Sequence, residues 1–185
     1  MYGLVNAALR ELIVSSFGDA TWDEIRAAIA PDLVSFSIME SYPDVLTMQI
    51  LKHACALTGT SQEDLLIRFG EHWVQYTERE GYGSLFEIAG DSLFDFLLNL
   101  NELHARVGRN FPKLQPPSFE FDVLDRDTLR MHYITSREGL CPFVRGLLQG
   151  LSVRFHTPLS VHTLACRATG ADHCVFLLKL GDRHS

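Results

Sequence analysis

The chain has 185 residues with 16 Lys and Arg against 23 Asp and Glu, a formal charge of -7 that leaves no basic patch for nucleic acid or an anionic membrane. That length is enough for one domain with a sizeable core. Its 12 Phe, 5 Tyr and 2 Trp favour a deep core or a flat apolar ligand site over disorder.

The N-terminal stretch MYGLVNAALRELIVSSF is apolar, yet it lacks a basic leader and is interrupted by Arg10 and Glu11, so it does not read as a signal peptide. No apolar run reaches the length of a membrane span. Four cysteines, Cys55, Cys141, Cys166 and Cys174, are too few for a disulfide scaffold. Without an export signal they read as thiols or metal ligands in a reducing cytoplasm.

In chain order, residues 2–17 read as a helix with Leu4, Ala8, Ile13 and Phe17 near its apolar side. Thr21 and Glu24 make a T-x-x-E capping box that predicts the next helix to start at Thr21. Pro43 opens a helix to about Leu57, and Ser61 caps another that runs to Gly81 with Leu65, Phe69, Trp73 and Tyr76 on one face. Tyr82 lies between two glycines in a turn, and a short helix around 85–89 follows.

Residues 92–107 read as one strong helix. Ser92 is a good N-cap with Asp95 three residues on, and Gly108, Pro112, Pro116 and Pro117 stop the helix. Leu93, Phe96, Leu97, Leu100 and Leu103 form its apolar face, and His104 falls on that face between Leu100 and Val107. An imidazole there is either a core histidine bonded to a backbone carbonyl or a ligand, for instance the axial ligand of a haem iron.

After Pro117 the period changes. SFEFDVLD and TLRMHYITSR read as two strands, GLCPFVRGLLQGLSVRF as a helix with Pro142 in its first turn, and LSVHTLACRA and HCVFLLKL as a second hairpin around Thr169-Gly170. The expected fold class is therefore α+β: a helical N-terminal half, then a ββαββ half with an antiparallel four-stranded sheet, and a ligand crevice between them. Strand alternation from Tyr133 to Thr135 to Arg137 puts two hydroxyls and a guanidinium on one face. Such a row is either a solvated strand face or a seat for a pair of carboxylates.

Here the sequence resembles a known family. MYGLVN, FGEHWVQYTEREGYG, the LHARVG block, FPKLQPP, HYITSR and FVRGLLQG together look like the haem-nitric oxide/oxygen-binding (H-NOX) domain of the bacterial stand-alone type, related to the haem domain of soluble guanylate cyclase. The likeness covers essentially residues 1–185 as one haem-binding domain, with a helical subdomain of about residues 1–60 on the distal side. It implies non-covalent haem b in the crevice, with His104 as iron ligand and Tyr133, Thr135 and Arg137 holding the propionates; Thr135 stands where the family has serine. Pro117 matches the proline that presses on the porphyrin, and Met1, Val5 and Leu100 fall at haem contacts. Trp73, Phe143 and Leu147 fall in the distal pocket, where Phe143 takes the place of the tyrosine of oxygen-binding members.

The function so implied is a haem-based sensor of NO, also binding CO, in which the iron–histidine bond is released on NO binding. It is not an enzyme, since none of the distal residues is an acid or base. The alternatives are an oxygen sensor or carrier, with Trp73 or Tyr76 as donor, and, more remotely, a haem enzyme or a haem-free binding module. The expected partner is a separate signalling protein such as a histidine kinase or a cyclic-di-GMP enzyme, with no nucleic acid and no membrane. Some relatives carry a structural zinc in the last hairpin. Here the candidate ligands are His162, Cys166 and Cys174, completed by Cys141 or His173, against a reading of the cysteines as small apolar packing groups.

Overall fold

In the computed structural model, which describes residues 1–182, the first half is helical. The helices are α1 (Gly3–Phe17), α2 (Asp19–Ile29), α3 (Asp44–Thr58), α4 (Gln62–Thr77), α5 (Gly83–Ala89), α6 (Leu93–Leu98) and α7 (Leu100–Gly108). Then follow β1 (Ser118–Val123), β2 (Thr128–Ile134), α8 (Cys141–Arg154), β3 (Leu159–Ala165) and β4 (Cys174–Leu180). The four strands form one antiparallel sheet in the order β1-β2-β4-β3, so the expected α+β class and ββαββ half are observed.

Local chemistry sets most boundaries. Ser61 Oγ accepts from Asp64 N at 3.0 Å and Ser92 Oγ from Asp95 N at 3.1 Å, so both serine caps work as expected. The capping box at Thr21 does not form. α2 starts two residues earlier, at Asp19 after Gly18, and the Thr21 hydroxyl donates back to Phe17 O at 2.9 Å. α4 passes into one wide turn over Glu78–Tyr82, where Gly81 takes φ +94 before α5 begins.

The helix expected over 92–107 is two helices. Asn99, at φ -94 and ψ 5, breaks it, and its side-chain amide donates to Ala89 O at 2.8 Å. That contact comes from outside the helix and re-aims α7 relative to α6.

Two apolar cores result. One gathers Leu9, Ile13, Ile25, Ile50 and Leu51 of α1–α3 against Leu65, Leu66 and Phe69 of α4. The other gathers Leu93, Phe96 and Leu97 of α6, Val144 and Leu148 of α8 and the inner face of the sheet, Leu129, Met131, Phe176 and Leu178. α4 contributes to both, since Val74 belongs to the second. It packs backbone to backbone on α8: a Cβ at Gly70 would collide with Phe143 O, and one at Gly146 with Ile67 O. This close approach fixes where Phe143 and Leu147 point.

Candidate functional site

A cavity of about 760 Å³ lies between the two cores. Its wall includes the apolar side of α7. Leu100, Leu103, His104 and Val107 all face it, and no residue of α7 is fully buried although the helix has a clear apolar stripe. An apolar stripe left only partly buried beside a cavity is a wall suited to an apolar ligand.

His104 is the polar exception on that stripe. Its Nδ1 is buried without a hydrogen-bond partner among the described residues, so the reading as a carbonyl-bonded core histidine fails. Its ring stacks on Phe119 at 5.8 Å between centroids. Burial pushes the imidazole below its ordinary pKa, so it stays neutral and keeps a lone pair at neutral pH. α7 is fastened beneath it by Asn101, which donates to Phe119 O at 2.5 Å and accepts from Phe119 N at 3.0 Å.

Tyr133, Thr135 and Arg137 line the same cavity, although strand alternation does not place all three. β2 ends at Ile134, and Thr135 and Arg137 lie in the segment beyond it. The Thr135 hydroxyl caps Arg137 N at 3.2 Å. Arg137 Nη1 donates to Gln115 O and its Nε to Asp44 Oδ2, each at 2.7 Å. A guanidinium has five N–H groups, so three remain for a carboxylate ligand. Tyr133 is buried, and desolvation pushes its hydroxyl up to about 12 although Thr135 and Arg137 pull it down; it is a donor at neutral pH.

The other expected haem contacts, Met1, Val5, Leu100 and Pro117, line the cavity, and so do Trp73, Phe143 and Leu147. Tyr76 does not: it is buried and stacks on Trp73 at 6.5 Å. Among the cavity residues that the sequence did not mark, two are polar and bear on a ligand. Asp44 carries no signal there beyond following Pro43. Tyr82 ends the wide turn after α4 and lines the cavity, its hydroxyl in no hydrogen bond among the described residues.

The residues present fit a haem. The cavity is apolar, holds one orphaned neutral imidazole, and carries a cation and two hydroxyls suited to two propionates.

The thiols gather elsewhere. The ligand atoms of Cys141, Cys166 and Cys174 lie within 4.8 Å of one another. Neither expected histidine joins them. Alternation turns His162 to the exposed face of β3, where Nε2 meets Ser160 Oγ at 3.0 Å, and His173 Nε2 lies 2.9 Å from His132 Nδ1.

A sequence model of the haem-NO-binding family, HNOB, matches residues 2–163. The chain belongs to that family. H-NOX domains are haem-binding gas sensors.

The chain is 30% identical over 156 residues to soluble guanylate cyclase gcy-33 of Caenorhabditis elegans, covering 84% of this chain and 16% of the cyclase. It is 26% identical over 122 residues to the soluble guanylate cyclase subunit beta-2 of Rattus norvegicus, covering 63% of this chain and 18% of that one. It thus spans only a small part of these cyclases. An H-NOX protein of S. oneidensis in the Fe(II)NO state superposes with a TM-score of 0.91 at 20% identity, covering 98% of this chain and 100% of that one. An oxygen-binding H-NOX domain in its oxygen complex does so at 0.83 and 21% identity, covering 99% and 96%. At these identities the likeness establishes the H-NOX fold.

Proposed function

We propose that residues 1–185 act as one haem-binding unit that senses nitric oxide, with haem b held non-covalently in the cavity and His104 as its iron ligand. The observation that carries this reading is the orphaned imidazole on the cavity-facing stripe of α7. Tyr133, Thr135 and Arg137 would take the propionates, Pro117, Met1, Val5 and Leu100 the macrocycle, and Trp73, Phe143 and Leu147 the gas side. No C-x-x-C-H is present for covalent attachment.

Haem held by His104 would supply a ferrous iron able to take NO or CO, and NO would loosen its hold on His104. The chain then does the rest. His104, once freed, unloads α7, and α7 is tied to β1 through Asn101 and Phe119. A shift of α7 therefore reaches the sheet, which is how a local event becomes a surface change that a partner reads. Family resemblance suggests a separate histidine kinase or cyclic-di-GMP enzyme as that partner. We assign the chain no catalysis, because Trp73, Phe143 and Leu147 provide no general acid or base.

Phe143 lacks a donor and favours NO and CO over oxygen. The oxygen reading keeps one specific support, the unengaged Tyr82 hydroxyl and the Trp73 indole on the cavity wall. The absorption spectrum of the NO-saturated ferrous protein tests the proposal. Loss of the histidine ligand is expected; a histidine-bound NO complex at saturation, or a long-lived oxy spectrum in air, overturns NO sensing. For Cys141, Cys166 and Cys174 we propose zinc, with a fourth ligand from outside the trio. Metal analysis after purification without chelator checks this, and only a trace of zinc per protein removes it.

A further inference from the structure

The outer face of the sheet carries a second cluster of metal-ligating side chains, apart from the cavity and the thiols. Met131 and Tyr133 point inward, so His132 between them points outward. His132 Nδ1 lies 2.9 Å from His173 Nε2, and His132 Nε2 lies 3.3 Å from Asp122 Oδ2 on β1. A carboxylate only accepts, so the proton of His132 sits on Nε2 and Nδ1 presents a lone pair. His173 Nε2 therefore donates to it when both rings are neutral.

We propose that His132 and His173 bind a borderline first-row divalent cation, the two rings turning off their shared hydrogen-bond axis so that both nitrogen lone pairs meet at the ion. His173 stays neutral by carrying its proton on Nδ1 instead, so no net proton need be lost. At metal–nitrogen bonds of about 2.05 Å, nitrogens on adjacent corners of an ion stand about as far apart as these two, which are 2.9 Å apart, so the ring directions must change but the separation need not. A cis pair of imidazoles with water at the other positions suits Ni²⁺ or Cu²⁺. Asp122 takes the outer position behind a ligating histidine that metal sites commonly use to fix the tautomer.

The surrounding charges are mixed. Glu120 sits directly across the β1–β2 ladder from His132, is exposed, and makes no ion pair among the described residues. Arg130 lies two residues before His132 on the same face of β2, 3.4 Å from Asp122 Oδ2, and its charge keeps the affinity moderate. The remaining coordination positions go to water.

Calorimetric titration of the untagged holoprotein with NiCl₂ tests the site, with circular dichroism as the check of fold. The wild type should take up about one equivalent through this pair. His132→Gln and His173→Gln should each weaken it at least about tenfold, and Asp122→Asn by about 10- to 100-fold. Cys166→Ser should leave it unchanged. Equal nickel affinity in both histidine variants overturns the proposal, and so does loss of nickel binding in Cys166→Ser, which would put the ion on the thiols.

Discussion

Asp44 and Arg137 join the helical half to the segment beyond β2, the guanidinium Nε donating to the carboxylate Oδ2 at 2.7 Å on the wall of the cavity. The Met1 ammonium takes the other oxygen of Asp44. Burial alone would raise this carboxyl; the two cations outweigh it and hold Asp44 below its usual value. The proposed propionate anchor is therefore oriented before any ligand arrives, by residues 93 positions apart in sequence.

Asp44→Asn should leave the fold nearly intact, since a partly exposed pair contributes at most about 1 kcal/mol. It should let Arg137 wander and speed haem loss, while Arg137→Ala should speed it more, by about tenfold for a lost charge-assisted bond. Transfer of haem to an apo-acceptor protein measures both rates. Equal loss rates in wild type and Arg137→Ala would remove the anchor.

Phe143→Tyr places a hydroxyl on the cavity wall. Oxygen bound to ferrous iron carries negative charge and gains from a donor, whereas NO and CO gain much less. The variant should hold oxygen longer in air than the wild type, read from the visible spectrum, with CO affinity little changed. If Tyr82 already supplies that donor, Tyr82→Phe will shorten a wild-type oxy lifetime instead.

The α4–α8 contact leaves no room for a side chain. Gly146→Ala must push α8 off Ile67, at a cost of about 1–3 kcal/mol. Urea denaturation should show that loss, and Phe143 and Leu147, carried on α8, should shift with it and alter CO binding.

The sign of the pH effect at His104 follows from its lowered pKa. The unfolded chain takes up a proton at about 6.5, the folded chain only at lower pH. Stability from this group is complete above about pH 6.5 and is lost as pH falls through the interval down to the folded value. Urea midpoints of the haem-free protein at pH 7.5 and 5.0 should differ less for His104→Gly than for the wild type.

The sequence made His104 legible because Leu93, Phe96, Leu97, Leu100 and Leu103 at helical spacing announce a buried face. It did not show that the face looks into a cavity, which only the packing of α6, α8 and the sheet decides. The break at Asn99 was hidden for a similar reason: the apolar period runs straight through it, and the bond that stops the helix goes to Ala89 O. Tyr133, Thr135 and Arg137 were found by alternation, but Arg137 reaches the cavity through a loop and its partner Asp44, a long-range pairing that no local pattern encodes. The zinc expectation grouped His162 with the cysteines by proximity in sequence, and the two faces of β3 separate them.

If His104 alone ties the haem iron to α7, as proposed, then His104→Gly cuts that tie. The ferrous variant, purified with and without imidazole, should show a changed Soret spectrum when imidazole is absent and a wild-type-like one when it is added back. An unchanged spectrum without imidazole would contradict the assignment of His104.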